Sequence, residues 1–133
     1  MNVRSSTLLL LTALLSLSAC DGGGGGGGGG TGTEDGGEYR AVLQSPNGAE
    51  GAAAIELTGP GILSVTGSSG RLFTVAAAGT RRVVVVNQPA AQVTFQVTME
   101  AGQGPPAARV VEVVDGNDLP RASLAGYSVT FSR

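Results

Sequence analysis

The clearest signal in the chain is alternation. From Gln92 to Glu100, QVTFQVTME, the apolar residues Val93, Phe95, Val97 and Met99 take every second position and polar residues take the others. Successive side chains of a strand point to opposite faces, so this stretch reads as a strand with one buried face. YSVTFSR repeats the pattern, with Tyr127, Val129 and Phe131 against Ser128, Thr130 and Ser132. RRVVVVNQP is different. Val83 to Val86 is an unbroken β-branched run, which predicts a strand covered on both faces. Arg81, Arg82 and Pro89 flank that run and limit its aggregation. Further strands are expected at 39–44, 52–57, 62–66, 71–76 and 109–114.

Turn residues separate these segments: Pro46-Asn47-Gly48, Gly59-Pro60-Gly61, Gly67 to Gly70, Gly102 to Pro106 and Asp115 to Asp118. One segment competes as a helix. In NGAEGAAAIEL, Asn47 and Glu50 have capping-box spacing and the alanines favour a helix. Gly48 and Gly51 would each cost such a helix about 1 kcal/mol, so a turn followed by a strand is the better reading. About eight short strands spaced by turns predict an antiparallel all-β sandwich or barrel from residue 38 to residue 133.

The first 37 residues follow other rules. MNVRSSTLLLLTALLSLSAC opens with Arg4, continues with a Leu-rich apolar stretch from Thr7 to Ala19 and ends in small residues and a thiol. That is the layout of a secretory signal peptide. The apolar stretch is shorter than the roughly 20 residues a membrane-spanning helix needs. Leu17-Ser18-Ala19-Cys20 resembles the lipobox of bacterial lipoproteins. The resemblance implies cleavage after residue 19, a diacylglyceryl group on the Cys20 sulfur and acylation of the new amino terminus. It also implies a protein of the bacterial cell envelope, held at the inner or outer membrane by its lipid. Two or three acyl chains anchor stably where one does not.

Residues 21–37, DGGGGGGGGGTGTEDGG, include twelve glycines. With no side chains to bury and maximal backbone entropy to lose, such a segment is expected to be a disordered tether. Its end-to-end distance would be about 20–25 Å. A phosphate-binding loop would need Lys-Ser/Thr after the glycines, and neither that pair nor the flanking strand and helix is present. The expected organisation is therefore a signal peptide over 1–19, a lipidated Cys20 with a flexible linker over 20–37, and a sandwich over 38–133.

Within the sandwich, SPNGAEGAAAIELTGPGI and ARVVEVVDGND resemble segments of the immunoglobulin-like and cohesin-like modules of bacterial surfaces. The resemblance implies a Greek-key sandwich of seven or eight strands. LAGYSVTF, with Leu124 before Tyr127 and a strand after it, resembles the tyrosine corner of such sandwiches.

Composition narrows the chemistry. The chain has no His, no Trp and no Lys, and Cys20 is its one thiol. Ser-His, Ser-Lys and Cys-His nucleophile activation are thus missing from the domain. Glu100, Glu112, Asp115 and Asp118 could supply paired carboxylates, but a domain of about 95 residues leaves little room for a glycan cleft. The expectation is a non-catalytic module without a cofactor. From Glu38 onward seven arginines balance seven acids, which gives no footprint for nucleic acid. Asp115, Asn117 and Asp118 offer hard oxygen donors that would suit calcium, yet the same residues build tight turns, and the turn is the favoured reading. Tyr39 and Tyr127 are the two amphipathic aromatics available to stack on a sugar, which leaves a carbohydrate-binding module as the alternative. The favoured function is protein interaction or structural support. Arg71, Arg81, Arg82, Arg109 and Arg121 are the candidate contact patch, and an envelope protein or glycan the candidate partner.

Overall fold

The structure, a computed structural model, describes residues 36–133. Eight strands follow in order: β1 (Glu38–Gln44), β2 (Glu50–Thr58), β3 (Ile62–Thr66), β4 (Arg71–Ala77), β5 (Thr80–Ala91), β6 (Thr94–Met99), β7 (Ala107–Val114) and β8 (Ser128–Ser132). They form two antiparallel four-stranded sheets, ordered β3-β6-β1-β8 and β4-β5-β2-β7. The expected all-β sandwich is what the chain builds. The expected signal peptide, the expected lipidation site Cys20 and the expected linker up to residue 35 lie outside the described residues. The linker's last two glycines do not: the Gly37 carbonyl accepts the Met99 N–H at 3.0 Å, and Gly36 lies against the Glu100 backbone.

One core joins the sheets. From the first sheet come Tyr39, Ala41 and Leu43 of β1, Val65 of β3, and Phe95, Val97 and Met99 of β6. From the second come Ala53, Ile55 and Leu57 of β2, Val83 and Val85 of β5, and Val113 of β7. Each set occupies every second position, so the period-two pattern is the physical basis of the layer. Burying one such large side chain contributes about 1.5–3 kcal/mol.

The strand order β4-β5-β2 opposite β3-β6 is the Greek-key order of the middle strands of an immunoglobulin sandwich. The outer positions differ. Here β7 lies beside β2, where the first immunoglobulin strand would lie, and β1 followed by β8 extends the other sheet beyond β6. This changes the reading of the tyrosine corner. That motif belongs at the strand occupying the β6 position, whereas Tyr127 precedes the edge strand β8. Its hydroxyl also binds a side chain, Glu50, and not upstream backbone.

The four-valine run also departs from expectation. Val83 and Val85 are fully buried, but Val84 and Val86 are only half-buried. β5 is central in its sheet, with β4 and β2 on either side, while no further layer among the described residues covers its outer face.

The segment with helical composition is a turn and then β2, as its glycines require. Between Glu50 and Ala52 the register with β5 shifts, and a Cβ on Gly51 would lie 2.2 Å from the Asp115 carbonyl oxygen. Backbone passes where a side chain cannot fit. Gly51→Ala should destabilise the domain by about 1–3 kcal/mol, by analogy with overpacked cores, as a lower urea midpoint with unchanged slope.

Candidate interaction surface

Of the five arginines expected to form one contact patch, three lie on one sheet face and two lie elsewhere. Arg82 and Arg109 share the outer face of the sheet β4-β5-β2-β7, on either side of Glu56. Arg109 Nη2 lies 3.1 Å from Glu56 Oε1 and Arg82 Nη2 3.6 Å from Glu56 Oε2. These pairs are solvent-exposed and each contributes under about 1 kcal/mol. Arg71 lies on the same face at the start of β4, opposite Val86. Arg81 has the opposite parity and donates to the Leu63 carbonyl at 3.4 Å. Arg121 belongs to a buried network.

That network centres on Glu50, whose exposure is 1 %. Its Oε1 accepts the Tyr127 hydroxyl at 2.6 Å and the Ser45 hydroxyl at 2.7 Å. Its Oε2 accepts Arg121 Nε at 3.1 Å and Nη2 at 3.0 Å. Burial pushes the Glu50 carboxyl up. Hydrogen bonds from Tyr127, Ser45 and Arg121 and the charge of Arg121 outweigh that effect and leave it below the usual carboxylate value. The same contact holds the Arg121 guanidinium more firmly charged. The network ties the turn after β1, the start of β2 and the loop before β8 together. The sequence signal was present but pointed elsewhere: Glu50 stood at capping-box spacing from Asn47, and nothing local marked it as an acceptor for residues 71 and 77 positions away.

The remaining nominated residues fall into structural roles. Asp115 Oδ1 accepts the backbone N–H of Asn117 at 2.8 Å and of Leu119 at 3.0 Å. Those backbone donors hold its carboxyl below the usual value. Asp118 takes a left-handed conformation with φ 62°. The loop is therefore stitched by Asp115 as a turn, and among the described residues no cluster of three or more His, Cys, Asp or Glu could hold a metal ion. Tyr39 is buried, its ring covered by the Arg133 guanidinium at 4.9 Å and its hydroxyl accepting Arg133 Nη2 at 2.6 Å. The Tyr127 hydroxyl is bound to Glu50, and its half-buried ring packs against the core.

The most exposed feature of the outer face is apolar and was not among the expected contact residues. On the outer face, Phe73 of β4 stands beside Val84, with Ala54 of β2 on Val84's far side. Val75, Val86, Ala52 and Val114 continue the patch. Phe73 is 57 % exposed and Val75 68 % exposed. The small Ala52 and Ala54 leave a hollow of about 120 Å³ bordered by Val84, Glu112 and Val114. Small-molecule sites run to roughly 300–1,000 Å³, so this hollow suits a side chain better than a ligand. The signal for the patch was legible in RLFTVAA, where Leu72 on one face and Phe73 and Val75 on the other give apolar residues of both parities.

The four sheet edges are unequal. β3 is five residues long with a register break, and β8 is five residues long with Ser128, Thr130 and Ser132 outward. β7 carries Arg109 and Glu112, has a register break against β2, and is bridged at Val114 by Pro120. β4 has none of these protections. It runs seven residues in unbroken register with β5, and its one charge, Arg71, stands at its first position. Shortness, charge, bulges and proline are how sheets avoid edge-to-edge pairing. Among the described residues β4 is thus an open hydrogen-bonding edge beside an exposed apolar strip.

Comparison with known proteins found no matching family model, no matching curated protein and no matching solved structure.

Proposed function

We propose that this chain is a lipid-anchored protein of the bacterial cell envelope whose sandwich is a non-catalytic protein-interaction or structural module. The observation that carries the interaction reading is the unprotected edge β4 with Phe73 and Val75 exposed beside it. An edge of this kind takes an added strand: main-chain hydrogen bonds supply affinity, and outward side chains at alternate positions supply selectivity. The anchor reading is supported by Leu17-Ser18-Ala19-Cys20 after a short apolar stretch, and the glycine-rich segment gives the sandwich slack above the membrane. Fold alone does not define function, so the reading rests on this edge and this cysteine.

Cys20→Ser should abolish labelling of the protein by palmitate and move it from the membrane fraction to the soluble fraction. Unchanged labelling and sedimentation with membranes in that variant would overturn the anchor.

A further inference from the structure

Resting on the interaction reading and on the lipid anchor, we infer that the partner strand at β4 is β4 of a second copy, paired antiparallel about a two-fold axis between the two Thr74 residues. Three observations lead there.

The first is register. Residues directly opposite in an antiparallel pair point to the same face, so only a register that keeps parity extends the sheet without inverting it. The middle residue of Arg71–Ala77 is Thr74. Pairing the strand with itself about that residue uses all seven positions and keeps parity. Phe73 then faces Val75 of the copy, Leu72 faces Ala76, and Arg71 faces Ala77. The two exposed apolar residues of the outer face become cross-strand partners, twice, by symmetry. Aromatic and β-branched pairs of this kind each contribute roughly 0.2–1 kcal/mol.

The second is charge. Arg71 is the single charged residue of β4 and stands at its end. In this register the two Arg71 residues are six positions apart, about 20 Å, well beyond the roughly 8 Å over which salt leaves exposed charges in contact. A strand bearing one central charge would repel its own copy; this one does not.

The third is area. Seven residues extend about 24 Å, and a sheet is about 10 Å thick, so the strip joined is near 500 Å² counting both copies. Stable dimers bury about 1,200–2,000 Å². The pairing is accordingly weak in dilute solution and is favoured where copies are confined, as molecules tethered to one membrane surface are.

The test is Thr74→Cys in the full chain, expressed in its host envelope and treated with a mild thiol oxidant. Across the two-fold axis the paired Cα atoms would lie about 4.5–5.5 Å apart, within disulfide range. Thr74 is exposed, so the substitution leaves the core untouched. Most of the Thr74→Cys protein should become a covalent dimer of twice the chain mass. Ala76→Cys, whose two copies would lie about 13 Å apart, should give less than a tenth as much. The parent chain and Thr130→Cys on β8 serve as controls and should give none. Equal cross-linking at residues 74 and 76 would overturn the register. A Thr74→Cys adduct joining this chain to a different protein would overturn the second copy while leaving the interaction reading standing. No adduct of either kind would overturn both.

Discussion

Phe95→Ala should lower the stability of the sandwich by about 4 kcal/mol, the largest effect expected of any single substitution discussed for this protein. Phe95 is fully buried, the largest of the fully buried side chains, and pairs with Ala41 of β1 within its sheet. Its cross-strand neighbour Ala41 is too small to fill the space it would leave, so the loss combines transfer of the ring to water with a residual cavity. For a domain of this size a loss of that magnitude lowers the melting midpoint by about 20 °C. Urea unfolding followed by circular dichroism reads it directly. A loss below about 1 kcal/mol would mean that the two sheets do not close on this ring.

Glu50→Ala should destabilise by about 3 kcal/mol, because removing one partner of a buried ion pair strands the other and leaves hydroxyl donors without an acceptor. The Arg121 side chain retains some contact with solvent, which keeps the effect below that of Phe95. The same residue predicts a pH dependence of definite sign. Its carboxyl titrates below its ordinary value of 4.5 in the folded chain, so folding favours the ionised form. That stabilisation is complete above about pH 4.5 and is lost as pH falls through the lower folded value. Glu50→Gln keeps the shape and removes the charge. The gap in melting midpoint between Glu50→Gln and the parent should therefore be wide at pH 7 and narrow toward pH 3. A gap of constant width would show that the charged contacts are not its source. Asp115, also held below the usual value by backbone donors, keeps its share of acid sensitivity in both proteins.

The fold was legible because a strand's burial pattern is local. Val93, Phe95, Val97 and Met99 announce their face by spacing alone, and all four are buried. Turns were legible for the same reason, since Gly48, Gly61 and Gly102 sit where positive φ is needed. Covering of Val84 and Val86 was not legible, because it depends on what lies above a sheet, and no strand encodes that. Nor was the fate of Arg121 legible: an arginine's spacing does not say whether it meets solvent or a carboxylate 71 positions earlier. The candidate surface was half visible. The arginines drew attention by charge, while Phe73 and Val75, in a strand already identified, carry the exposed apolar area. The edge itself emerges only from strand order, a property of the whole chain.

The position of Glu50's partners bears on how the chain reaches its native state. Ser45 is made just before the acid, but Arg121 and Tyr127 are among the last thirteen residues. A chain truncated at residue 115 would keep the seven strands β1 to β7 in sequence but leave the Glu50 carboxylate with Ser45 alone of its side-chain partners. Such a fragment should therefore be markedly less stable than the full sandwich, because an anion at that position is compensated by donors that lie more than seventy positions downstream.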